Sequence, residues 1–82
     1  MATPSITIYS RPDCHLCEEM QAVVAPLAAQ VGATVEVVDI GSNPELEARF
    51  GMEIPVLFVD GRKVAKFRIT GTDLRRHLRS LA

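Results

Sequence analysis

The chain changes its hydrophobic period at one place, and that place holds its only two cysteines. Before it, SITIY (residues 5–9) sets Ile6 and Ile8 against Thr7 and Tyr9, the alternation of a half-buried strand. From Cys14 onward, Cys17, Met20, Val24, Leu27 and Val31 recur at intervals of three and four, which is one face of a helix. Gly32 closes that helix with an inexpensive left-handed cap, and Pro26 inside it predicts a kink or a break into two pieces. A strand that runs into a helix through Cys-x-x-Cys commits the chain to an α/β start. Cys14 then stands at the helix N-terminus, and Cys17 one turn inward.

The remaining elements follow in short alternation. TVEVVDI (34–40) reads as a second strand, which a helical crossover makes parallel to the first and right-handed. SNPELEARFG carries its own helix punctuation: Ser42 or Asn43 as cap, Pro44 in the first turn, Gly51 just past the end, with Leu46 and Phe50 as anchors. VLFV (56–59) is a continuous apolar run, the mark of a central strand covered on both faces. Asp60-Gly61 predicts a tight hairpin into RKVAKFRI (62–69), with Ala65, Phe67 and Ile69 on one face and Lys66 and Arg68 on the other. A last helix begins between Thr70 and Asp73 and buries Leu74, Leu78 and Leu81. Its basic residues Arg75, Arg76, His77 and Arg79 fall where they suit the helix dipole. The order βαβ-α-ββα predicts a four-stranded mixed sheet with helices on both faces.

With 82 residues, 48% of them apolar, there is material for a single domain (1–82) with a modest core and none for a second. A formal net charge of −1 gives no electrostatic basis for binding nucleic acid or a membrane surface. No apolar run approaches the roughly 20 residues of a membrane helix, and no signal-peptide pattern opens the chain, so a cytoplasmic location is expected. Nothing in the sequence demands more than a monomer.

In a reducing compartment one close cysteine pair is more often redox-active or metal-binding than a static staple. Half a zinc site is present, but no second cysteine pair completes it, and His15 lies between the two thiols. We therefore assign no metal ligand and no tightly bound cofactor. Unpaired helix N–H groups and the positive end of the dipole favour a thiolate at Cys14. Arg11 adds a positive charge, while Asp13, Glu18 and Glu19 work against it. The Cys14 thiol should be lowered from its ordinary range, though not to an extreme, and Cys17 should be the more shielded. At this spacing the two sulfurs can bond, so the pair supports attack, mixed disulfide and resolution.

ITIYSRPDCHLC together with IPVLFVDG resembles the small glutaredoxin-like members of the thioredoxin-fold family, over nearly the whole chain. The resemblance implies a thioredoxin-like fold, a thiol–disulfide oxidoreductase with Cys14 as nucleophile and Cys17 as resolving thiol, and a cis bond at Pro55 facing the cysteines. It implies a disulfide-containing protein or a glutathione mixed disulfide as substrate, and glutathione or a separate reductase as electron donor. By the same resemblance glutathione, as co-substrate, would be held by Arg11, by backbone at Ile54 beside Pro55, and by Gly71, Thr72 and Asp73 at the last helix. The chain departs from the glutaredoxin pattern in two places. The paired glycines of that last segment are absent, and the stretch from Gly61 to Asp73 is longer, nearer the thioredoxin layout. Two other classes stay open: a metal or iron–sulfur module bridging two chains through Cys14, and a thiol-dependent reductase of a small oxyanion or peroxide.

Overall fold

Ile6 and Ile8, the alternating residues of the first strand, are both fully buried, and the sheet is assembled around them. The structure, a computed structural model, describes residues 3–79. Strand β1 (Ser5–Ser10) lies between β2 (Thr34–Asp39) and β3 (Val56–Val59), and β4 (Arg62–Lys66) closes the far edge in the order β2-β1-β3-β4. β1 pairs with β2 in parallel, Ile8 opposite Val37, and with β3 antiparallel, Ile8 opposite Leu57. β3 and β4 are antiparallel, joined by the turn at Asp60 and Gly61, which both take positive φ.

Helix α1 (His15–Val31) and helix α3 (Gly71–Arg79) cover one face of the sheet. Met20, Val24, Leu27 and Ala28 from α1 meet Leu74 and Leu78 from α3 over Ile6, Ile8, Leu57 and Val59. Helix α2 (Pro44–Phe50), preceded by a 3-10 turn at Ile40–Ser42, covers the other face. There Ile40, Phe50 and Val56 are buried with Tyr9, Leu46, Ile54 and Phe58 against them. Tyr9 stacks on Phe50 with ring centroids 4.7 Å apart, and Phe58 meets both rings edge-on. Asn43, not Ser42, caps α2, accepting from the N–H groups of Glu45 and Leu46. Thioredoxin-like architecture follows: a mixed four-stranded sheet with helices on both faces.

Several elements differ from the sequence expectation, each for a local reason. α1 is a single continuous helix, with no break at Pro26. Pro26 and Ala22, whose carbonyl loses its intrahelical partner, are both on the exposed face, where water can supply the missing bond. Val31 lies on the apolar stripe yet is 47% exposed. A 17-residue helix is about 25 Å long whereas six-residue strands span about 20 Å, so the last turn overruns the sheet. β2 stops at Asp39, leaving Ile40 to be buried from the 3-10 turn. β4 stops at Lys66, not Ile69, because its partner β3 begins at Val56 and offers no further residue to pair. Phe67 then takes a positive φ, donates its N–H to the Pro55 carbonyl, and is 41% exposed instead of joining the core. Gly51 adopts ordinary right-handed φ, so its role is space: an added Cβ would lie 2.5 Å from the Glu47 backbone carbonyl oxygen and 3.0 Å from the Arg11 guanidinium. Leu81 and the side chain of Arg79 lie outside the described residues.

Candidate functional site

The loop after β1 delivers Cys14 to the first position before α1. Asp13 takes a left-handed φ of 59°, which aspartate tolerates better than most residues, and Cys14 returns to extended backbone as the helix cap. Its sulfur accepts the Cys17 N–H at 3.1 Å, and its carbonyl accepts the Glu18 N–H. The capping role usually filled by a hydroxyl or carboxylate is thus filled by sulfur, an arrangement that favours the thiolate once the bond between the cysteines is open. Cys14 and Cys17 form a disulfide with Cα atoms 5.2 Å apart, inside the span such bonds adopt. Cys17 is 1% exposed whereas Cys14 is half-exposed, so only one sulfur is open to an incoming group.

Arg11 leaves the same loop but reaches toward α2, where Glu47 binds its guanidinium. A hollow of ≈ 330 Å³ flanks the cysteines, bordered by Arg11, Asp13, Glu18 and, from β2, Asp39. On the opposite side a second groove runs between α1 and the β4–α3 connection, lined by Leu16, Met20, Phe67 and Ile69. Leu16, which lies between the two cysteines in sequence, is the residue of this groove nearest them along the chain. Phe67, which alternation sets on one strand face with Ala65 and Ile69, is a candidate rim residue; only the mismatch between a four-residue apolar β3 and an eight-residue return strand hints at it.

The Ile54–Pro55 peptide bond is cis and Pro55 is fully buried. The Phe67 N–H, which bonds the Pro55 carbonyl, links this loop to the apolar groove. Glu53, next to Ile54, is tied to Lys63 on β4. The hydrogen bond from Lys63, helped by the charges of Lys63 and Lys66, holds the Glu53 carboxyl below its ordinary range. A depressed carboxylate pKa contributes stability above the unfolded value, and that contribution is lost as pH falls through the folded one. Acidification below the usual glutamate range should therefore loosen this loop slightly; Glu53→Gln should remove that part of the pH dependence in a melting series.

Gly71, Thr72 and Asp73 stand apart from this cluster. Gly71 packs near Leu27, thirteen residues along α1 from Cys14, or about 19 Å at the helical rise. The Thr70 hydroxyl accepts the Asp73 N–H and caps α3, while the Asp73 carboxylate pairs with Arg76 at 3.2 Å. The structure thus gathers Arg11, Cys14 and Cys17, and does not bring Gly71–Asp73 to them. Among the described residues no group of three or more His, Cys, Asp or Glu side chains is placed to hold a metal ion, and no helix is long and apolar enough to cross a membrane.

The sequence matches the model of the glutaredoxin-like domain (DUF836) over residues 5–79. An uncharacterized protein of Mycobacterium tuberculosis is 28% identical over 80 residues, covering 92% of this chain and 82% of that one. A crystal structure of a protein from X. campestris is 36% identical, with TM-score 0.72, covering 92% of this chain and 96% of its own. Desulfothioredoxin from Desulfovibrio vulgaris Hildenborough, in its reduced form, shares the fold at 24% identity and TM-score 0.70, covering 96% of this chain and 82% of its own.

Proposed function

The chain belongs to the glutaredoxin-like domain family, and on that premise we propose that it is a thiol–disulfide oxidoreductase with Cys14 as nucleophile and Cys17 as resolving thiol. One observation carries the reading: a half-exposed sulfur at a helix cap, bonded to a buried sulfur one turn inward. In the reduced protein the Cys14 thiolate attacks one sulfur of a substrate R–S–S–R′. Cys14–S–S–R forms, and R′ leaves as a thiolate that takes a proton from solvent. Cys17 gives up its proton and attacks the Cys14 sulfur, closing the Cys14–Cys17 bond and releasing R as a thiol. Two electrons have passed to the substrate, and an external thiol donor in a reducing compartment such as the cytoplasm restores the pair.

Protein disulfides fit this site better than glutathione mixed disulfides. Glutathione brings two carboxylates, but Arg11 is already bound by Glu47, and Asp73 is paired with Arg76 within α3. Ile54, beside buried Pro55, remains as a backbone contact for either substrate. A reductase of small oxyanions would need a basic pocket, and the hollow has one cation to three carboxylates.

Reduction of a neutral disulfide, run in parallel with glutathione plus its reductase and with thioredoxin reductase, tests the proposal. Turnover with at least one donor is expected. No turnover with either, together with bound iron or zinc after anaerobic purification, would replace the redox reading with the metal module. Because Glu47 already engages Arg11, Arg11→Ala should change KM for glutathionylated substrates by less than about two-fold. A several-fold rise confined to those substrates would show that Arg11 leaves Glu47 to hold glutathione, and an equal fall in glutathione-free exchange would show that it acts on Cys14.

A further inference from the structure

The hollow beside the disulfide is asymmetric in charge. Asp13, Glu18 and Asp39 border it, all three exposed, and none has a cationic partner among the described residues. Arg11, the single cation there, is neutralised by Glu47. A disulfide substrate approaching the open sulfur of Cys14 therefore passes three uncompensated carboxylates. On this basis, and resting on the oxidoreductase reading above, we propose that the site selects cationic disulfides: its partner is a protein whose reactive cysteine is flanked by lysine or arginine.

Physical reasons favour an effect on encounter more than on the bonded complex. The carboxylates are solvated, so each contributes little alone, but like charges lining one side of a cleft raise the local concentration of an oppositely charged substrate. Anionic disulfides, oxidised glutathione among them, are repelled by the same groups. The electron balance is that of the cycle already given: the dithiol loses two electrons and two protons, the substrate disulfide gains them, and a symmetrical R–S–S–R leaves as two thiols.

The test uses the pre-reduced full chain and three small disulfides: cystamine (cationic), hydroxyethyl disulfide (neutral) and dithiodipropionate (anionic). Stopped-flow oxidation rates are divided by the rates of dithiothreitol with the same compounds, which removes differences in leaving-group chemistry. The normalised rates should fall in the order cationic, neutral, anionic, with about ten-fold or more between the extremes at low ionic strength. They should converge at 1 M salt, where the screening length is about 3 Å. The variant Asp13→Asn, Glu18→Gln, Asp39→Asn should flatten the order. Asparagine tolerates the left-handed φ at 13 and can still accept the Gly41 N–H that Asp39 receives at 2.8 Å. Equal normalised rates, or an order indifferent to salt, would overturn charge selection while leaving the oxidoreductase reading intact. No oxidation by any of the three would remove that reading itself. If the triple variant does not fold, the salt dependence of the native chain decides alone.

Discussion

Cys14→Ser should have no disulfide reductase turnover, while Cys17→Ser should stop after one attack and accumulate as a mixed disulfide with its substrate. The difference follows from where α1 places the two sulfurs. Cys14 is half-exposed and receives the Cys17 N–H, so its thiolate is both reachable and supported. Cys17 is 1% exposed, so an incoming disulfide has almost no direct access to it. Serine at 14 keeps the cap, since its hydroxyl is a good partner for that N–H, and so leaves the fold unaltered while removing the nucleophile. Loss of activity in this variant therefore reports chemistry and not unfolding. Serine at 17 leaves the attack intact but removes the only thiol that can displace the adduct. Mass spectrometry after exposure to an excess of disulfide should find the adduct on Cys14 of the Cys17→Ser chain. An adduct on Cys17 of the Cys14→Ser chain would reverse the assignment.

The helix-start cysteines and the βαβ-α-ββα order were legible because each rests on local signals that tertiary structure did not override. A period change at Cys14, Pro44 in a first turn and Asp60-Gly61 between strands all act within a few residues. What was hidden depends on partners distant in sequence. The return strand ends at Lys66 because β3 runs out of residues, which nothing within RKVAKFRI reveals. Phe67 consequently leaves the strand face it was expected to share with Ala65 and Ile69 and stands at the rim of a groove beside Leu16. Arg11 was legible as a cation near the thiols, but its engagement with Glu47 joins residues on different elements and left no trace in spacing. The placement of Gly71–Asp73 was likewise a matter of how far α3 starts from the cysteines. Local readings could not supply that distance.

The largest stability contrast should come from two residues that flank Ile8 in the same row of the sheet. Leu57 lies opposite Ile8 on β3 and Val37 opposite it on β2, each an apolar strand residue beside the same buried isoleucine. Leu57 is fully buried, however, with β4 beyond it, whereas β2 is an edge strand and Val37 is 46% exposed. Leu57→Ala deletes atoms from a packed core and should cost about 2–5 kcal/mol. That is a large part of the roughly 4–12 kcal/mol available to a chain of this length. Its Tm should fall by at least about 8 °C. Val37→Ala removes a side chain already half in water and should cost no more than about 1 kcal/mol. Urea titration checks both: the midpoint of Leu57→Ala should drop steeply at an unchanged slope, and that of Val37→Ala should hardly move. A comparable loss in both variants would mean that the β2 edge is covered in solution. A midpoint for Val37→Ala that rises with protein concentration would then identify a second copy of the chain as the cover.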